Sequence, residues 1–203
     1  MSKKIIHVIA VSYKRYGELR VFVQSWLNQT ENNWRMTVIH DGKDLQFEII
    51  MKSYQYISNN RIDFYCTDKR FNDYGHTLRE LGLKKIFGDY VLLTNCDNYY
   101  IPKTVYYFNE ALNEHTEQFD VVIFNMVHSH SSKKFLSYSP LSVEFRRNCI
   151  DVGAAFVKKE IAEMVGFRDR GFSGDATYFE DISKLKNHKI AICKINRILL
   201  VHN

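Results

Sequence analysis

Apolar runs of strand length alternate with stretches of helical period along this sequence, and that alternation predicts an α/β fold: a mostly parallel sheet covered by helices on both faces, in three layers. A second observation agrees, because polar residues follow each early apolar run, where ligands sit in open parallel sheets. A third bounds the size. With 203 residues, 45% of them hydrophobic, the chain can bury one sizeable core and is expected to form a single unit over residues 1–203.

The first run, Ile5 to Val11, is nearly continuous and reads as a buried strand. Between Gly17 and Gln29, residues Leu19, Phe22, Val23, Trp26 and Leu27 recur at three- and four-residue spacing and mark one face of a helix. Strands near Met36–His40, Ile62–Cys66 and Tyr90–Thr94 follow, separated by helices near Leu45–Ser58 and Thr77–Phe87. A helix near Thr104–Asn113 then leads to a strand at Val121–Asn125. Residues 129–148 are polar, carry Pro140 and lack a period, so they are expected to form a loop over the site, with His128 and His130 as polar residues at its start. The tail reads as a strand at Val152–Val157, a short helix near Glu160–Val165, a glycine-punctuated turn from Gly166 to Gly174, a helix from Asp175, and apolar runs ending at Val201.

Lys and Arg exceed Asp and Glu by five, but they are scattered, which suits an anionic small ligand or weak contact with an acidic membrane surface and argues against nucleic acid. Cys66, Cys96, Cys149 and Cys193 are far apart and form no C-x-x-C pair, so neither a zinc site nor a disulfide framework is expected. No stretch has the length of a signal peptide or a membrane span, so the expected location is cytoplasmic, with any membrane role peripheral. A terminus one residue past His202 raises the expectation of a domain cut from a longer protein.

The turn after the first strand, Ser12-Tyr13-Lys14-Arg15-Tyr16-Gly17, lacks the glycines that cradle phosphate in dinucleotide and P-loop sites. Asn95-Cys96-Asp97 offers a substitute, since alternate residues of an extended segment point the same way and aim two oxygens at one divalent cation. A plain polar turn is the competing reading. Farther along, Tyr178, Phe179, Ile182 and Leu185 define the buried stripe of a helix, and at about 100° per residue Asp175 falls close to that bearing. It therefore points inward, although a first-turn carboxylate favoured by the helix dipole would look the same. His202 ends an apolar run where an imidazole can ligate a metal or close a hydrogen bond, and His76 and Arg79 open a helix where they either reach phosphate or form a solvated face.

Taken in order, these segments resemble the family-2 glycosyltransferases of the GT-A fold, a Rossmann-type α/β/α sandwich. Val8-Ile9-Ala10-Val11-Ser12-Tyr13 and Trp26-Leu27-Asn28-Gln29-Thr30 look like the family's first strand and helix, which implies donor contacts from Val11, Ser12 and Tyr13. Val38-Ile39-His40-Asp41-Gly42 resembles its second strand, implying that Asp41 contacts the nucleotide base. Gly75-His76-Thr77-Leu78-Arg79 resembles its glycine-arginine helix, which places Gly75, His76 and Arg79 beside the donor. Asn95-Cys96-Asp97 matches D-x-D with asparagine first, leaving Asn95 on the donor and Asp97 as the metal ligand, with His202 matching a late histidine that adds a metal contact. Asp151-Val152-Gly153-Ala154 looks like the acceptor-side strand.

Asp175 matches the family's general base, although Gly174 precedes it where glutamate is common; the usual Glu-Asp pair at Glu180-Asp181 makes Asp181 the second choice. The resemblance implies a donor half near residues 1–100, an acceptor half near 101–203, and a Mn2+ or Mg2+ cofactor. Its reaction would be inverting transfer from a nucleotide sugar, such as a UDP-sugar, to a glycan, lipid-linked or protein-linked acceptor. The competing readings are a noncatalytic nucleotide- or glycan-binding module and a sugar nucleotidyltransferase. The latter normally needs a glycine-rich basic loop that is absent after the first strand.

Overall fold

The computed structural model describes residues 3–114, 118–131, 136–186 and 188–203. Its first half is the expected alternation: β1 (Ile6–Ser12), α1 (Tyr16–Leu27), β2 (Trp34–His40), α2 (Leu45–Ile57), β3 (Ile62–Cys66), α3 (His76–Leu83) and β4 (Tyr90–Asn95). These strands lie in the order β3-β2-β1-β4, all parallel. The continuous apolar run of β1 is buried at every position because strands flank it on both sides and helices cover both faces.

The second half adds β5 (Tyr99–Tyr100), α4 (Thr104–Asn113), β6 (Val121–Ser131), β7 (Leu136–Leu141), β8 (Ala155–Lys158), α5 (Lys159–Val165), α6 (Gly174–Ser183) and β9 (Ile192–His202). The sheet continues from β4 through β8, β6 and β9 to β5, with β7 beside β6. β8 is antiparallel to both β4 and β6, and β9 runs parallel to β6. The result is a three-layer α/β fold with a mixed sheet.

Three expectations need correction here. Residues 129–148 do not form one loop, because β6 runs on to Ser131 and pairs with β7 as an antiparallel hairpin; residues 132–135 lie outside the described residues. Among the described residues β7 pairs with β6 alone, and such an edge strand tolerates Pro140 better than a central one would. His128 and His130 therefore stand on a strand, with His128 opposite His202 of β9 in register. Val152–Ala154 is a single 3₁₀ turn, and the strand begins only at Ala155.

No described helix is long and apolar enough to cross a membrane, and all four cysteines are free. Where α3 meets β1, Gly82 lies so close that an added Cβ would stand 2.4 Å from Ile9 Cγ2. Alanine in a helix interior normally gains about 1 kcal/mol over glycine. Here the clash is with a β-branched side chain that has little rotamer freedom. Gly82→Ala is accordingly expected to lose about 1–3 kcal/mol in urea unfolding, the opposite of the usual helix trend.

Candidate active site

The carboxyl ends of β1, β2 and β4 open into a cavity of about 670 Å³ lined by Val11, Ser12, Tyr13, Asp41, Gly75, His76, Arg79, Asn95, Asp97, Asp151, Asp175 and His202. Strands that end in step along one sheet edge deliver their following residues to one crevice. Every expected site residue is in this lining except Gly174 and Asp181. Gly174 is buried at the start of α6, next to Asp175. Asp181 is held on the surface, outside this cavity, by Arg168, whose Nε and Nη2 donate to it at 2.6 and 2.9 Å.

One wall is built on loops with unusual backbone. After β1, Lys14 and Arg15 both take positive φ, 54° and 48°, which bends the chain away from the sheet. The Arg70 guanidinium stands 3.8 Å from the Tyr13 ring centroid. Asp41 shapes the facing loop, accepting hydrogen bonds from Phe71 N at 2.7 Å and Asn72 N at 2.9 Å. Gly75 has φ +81°, and a Cβ there would lie 2.7 Å from Val11 Cγ2. Glycine is required at that turn on both counts.

Behind this wall Arg79 is buried at 1% exposure. It donates from Nη1 to Tyr74 O at 2.9 Å and to His76 Nδ1 at 3.0 Å, and from Nη2 to Asn95 Oδ1 at 2.6 Å. A guanidinium has no lone pair to offer, so His76 Nδ1 is the acceptor and Nε2 carries the proton donated to Gly171 O at 2.9 Å. Burial, with Arg79 adding to it, pushes the His76 pKa down to about 4. The ring is neutral at pH 7, and its 3.9 Å approach to Asp175 Oδ1 is not an ion pair.

Asn95 and Asp97 were expected to share one cation. They are instead held by different arginines: Asn95 by Arg79, and Asp97 Oδ2 by Arg15 Nη1 at 2.7 Å. The extended segment ends at Asn95, so the alternation that would align the two side chains stops before Asp97. Asp97 keeps Oδ1 buried and without a partner.

His202 supplies a second such atom. Its Nε2 lies 3.3 Å from Asp151 Oδ2, while Asp151 Oδ1 accepts from Gly153 N at 2.7 Å; His202 Nδ1 is buried and has no partner. A carboxylate on one ring nitrogen fixes the tautomer that leaves the other as a ligand. Burial would lower the His202 pKa, but the hydrogen bond and charge of Asp151 raise it overall. Among the described residues no three His, Cys, Asp or Glu side chains form a metal cage. Asp97 Oδ1 and His202 Nδ1 still fit a Mg2+ or Mn2+ ion that takes its other ligands from diphosphate and water. Sequence reasoning missed His128, which lines the cavity and stacks on the His202 ring at 4.7 Å. It lies beyond the apolar run that marked β6, and only its alternation with His130 hinted at a strand.

Across the cavity, Asp175 opens α6 with its stripe residues Tyr178, Phe179 and Ile182 buried, as the helical bearing required. Its Oδ1 is buried without a hydrogen-bond partner. Burial, partly offset by Arg79, pushes its carboxyl up to about 6. The unusual Gly174 has a steric cause: a Cβ there would stand 2.7 Å from His76 Nε2 and 2.9 Å from Asp169 O. Gly174→Glu, which would restore the common Glu-Asp pair, is expected to displace His76 and the start of α6, costing about 1–3 kcal/mol in thermal unfolding and lowering turnover at least tenfold.

No curated protein sequence matches this chain. Solved structures do: S. aureus TarS 1-349 superposes with TM-score 0.76 at 14% identity, covering 98% of this chain and 60% of that one. The complex of TarS 1-349 with UDP gives 0.70 at 14%, covering 94% and 60%. Mannosyltransferase PcManGT from Pyrobaculum calidifontis, in complex with GDP-Man and Mn2+, gives 0.72 at 10%, covering 99% and 57%. At such identities the likeness concerns the fold, and the present chain spans only about 60% of the length of the TarS fragment. The family model for glycosyl transferase family 2 matches residues 7–172, and on that match, with the GT-A architecture around it, the chain belongs to this glycosyltransferase family.

Proposed function

We propose that the chain transfers a sugar from a nucleoside diphosphate donor to an acceptor hydroxyl with inversion, and that Asp175 is the general base. The observation that carries this reading is the carboxylate of Asp175, desolvated and with Oδ1 unpartnered, in the same cavity as the unpartnered Asp97 Oδ1 and His202 Nδ1. A base with a pKa raised towards neutrality is matched to deprotonating an alcohol at physiological pH.

In the step proposed, the acceptor oxygen bonds to the anomeric carbon while its proton passes to a carboxylate oxygen of Asp175. The bond from that carbon to the diphosphate oxygen breaks, and its electron pair leaves with the diphosphate. A divalent cation, Mn2+ or Mg2+, held by Asp97 and His202 would neutralise the charge gathering on the diphosphate. Asp151 keeps His202 turned for that role, and Arg79 keeps Asn95 and His76 in place beneath the donor. Tyr13, Arg70 and the loop pinned by Asp41 form the wall assigned to the nucleoside.

TarS complexes with UDP and UDP-GlcNAc, and the GDP-Man complex of the mannosyltransferase, make those nucleotide sugars the first donors to test. Release of free sugar and nucleotide from one of them with Mn2+ present, abolished by EDTA and restored by Mn2+, is the expected result. Donor binding without turnover under any acceptor would favour the noncatalytic reading.

A further inference from the structure

We infer that the mouth of the cavity carries an acceptor subsite, formed by Tyr74 and Phe172, that recognises a pyranose ring of a glycan by stacking. This inference rests on the transferase reading of the same cavity and adds the chemical class of its acceptor. Both rings line the cavity, yet they are among the most exposed apolar side chains of the molecule, at 64% and 84%. They meet edge to face, with centroids 5.8 Å apart and planes at 77°. Two large aromatic rings left in water at a cleft mouth are the kind of patch that marks a binding surface.

Their placement is fixed, which argues against incidental exposure. Tyr74 has φ +60°, a conformation that bulky residues adopt only when their surroundings impose it. Arg79 imposes it by donating to Tyr74 O at 2.9 Å. The loop of Phe172 is tied from both sides: Gly171 O accepts from His76 Nε2 at 2.9 Å, and Gly171 N donates to Asp169 Oδ1 at 2.8 Å. His76 also accepts from Arg79, so one neutral imidazole links the two aromatic loops. Phe172 lies only three residues before Asp175, so a ring stacked on it brings its hydroxyls towards the base.

The surroundings select a sugar over an acyl chain. Asp151 and Asp175 share the lining with the two rings, setting flat apolar faces beside carboxylate acceptors that a hydroxyl can reach. A pyranose presents that combination, with slightly positive C–H groups on its face and hydroxyls at its edge, against the negative face of an aromatic ring. An acyl chain would need a continuous apolar groove.

The test is binding of cellotriose, chitotriose and mannotriose to the full chain by saturation-transfer difference NMR, with wild type and the variants Phe172→Leu, Phe172→Trp and Tyr74→Asn. Leucine keeps the apolar surface and removes the π face; asparagine tolerates the positive φ, and retained melting curves check folding. Binding of at least one trisaccharide, weakened about five- to tenfold by Phe172→Leu and Tyr74→Asn and kept by Phe172→Trp, is expected. Equal affinity in wild type and Phe172→Leu, or no binding of any of the three, would overturn the subsite. So would loss, in Phe172→Leu, of binding to vesicles of equal parts phosphatidylcholine and phosphatidylglycerol with sugar binding unchanged, since the rings would then contact a membrane. Nucleotide-sugar turnover by the unaltered chain is scored separately: sugar binding through Phe172 without turnover contradicts the transferase reading alone, and turnover with no role for Phe172 contradicts the subsite alone.

Discussion

Asp175→Asn is expected to lower turnover by about 10²-fold or more while leaving donor affinity within about twofold, because the amide keeps the shape of the side chain and cannot take the acceptor's proton. The same change is expected to stabilise the protein. The folded carboxyl titrates near 6, above its unfolded value, so folding favours the protonated form. The cost of holding the anion is therefore absent well below the unfolded value, grows as pH rises towards 6, and is fully present above it. A shift of that size corresponds to about 3 kcal/mol, and partial exposure of the side chain reduces it to about 1–2 kcal/mol at pH 8.

A pH profile reads the same group. The charges that face Asp175 are Arg79, Asp151 and His202, with neutral His76 beside it. The acid limb of kcat/KM is expected to fall below pH about 6 as the carboxylate is protonated. Differential scanning calorimetry and nucleotide-release kinetics check the stability and rate predictions on one preparation.

The second large effect concerns Arg79, whose guanidinium donates to Tyr74, His76 and Asn95 from a fully buried position. Arg79→Leu would leave those acceptors unpaired and withdraw the cation that holds the Asp175 and Asp151 carboxyls down. Breaking such a buried charged network costs about 3 kcal/mol or more, a fall in Tm of roughly 6–12 °C for a domain of this size. With Arg79 gone the Asp175 pKa rises further, and the acid limb of kcat/KM shifts to higher pH. An unchanged acid limb in a folded Arg79→Leu protein would detach that limb from Asp175.

The parallel half of this fold was legible because its central strands β1 and β4 are buried on both faces and read as continuous apolar runs, while each helix carries one apolar stripe, so period and length sort them. The hairpin of β6 and β7 escaped for the same physical reason in reverse. Its outer part alternates histidine and serine, and Pro140 reads as a breaker unless the strand is known to pair on one side only. β8 was blurred because Val152–Ala154 is as apolar as a strand yet coils into a 3₁₀ turn capped by the Asp151 side chain.

At the site, local pattern gave Asp175 the inward bearing that it has in the cavity lining, since the bearing of a side chain on a helix follows from spacing. It misjudged the partnership of Asn95 and Asp97, which depends on Arg79 and Arg15 arriving from other segments. Gly174 looked like a departure from the family, and only the folded chain supplies its cause, the imidazole of His76, ninety-eight positions earlier, filling the space. Long-range packing of that kind leaves no periodic trace.

The most direct measurement is a crystal structure of the chain with Mn2+ and the nucleotide sugar that it turns over slowest. The expected result is Mn2+ held by Asp97 and His202 and the anomeric carbon presenting to Asp175 the face opposite the bond to phosphate. A nucleotide bound outside the cavity, or an anomeric carbon whose open face points away from Asp175, would contradict it.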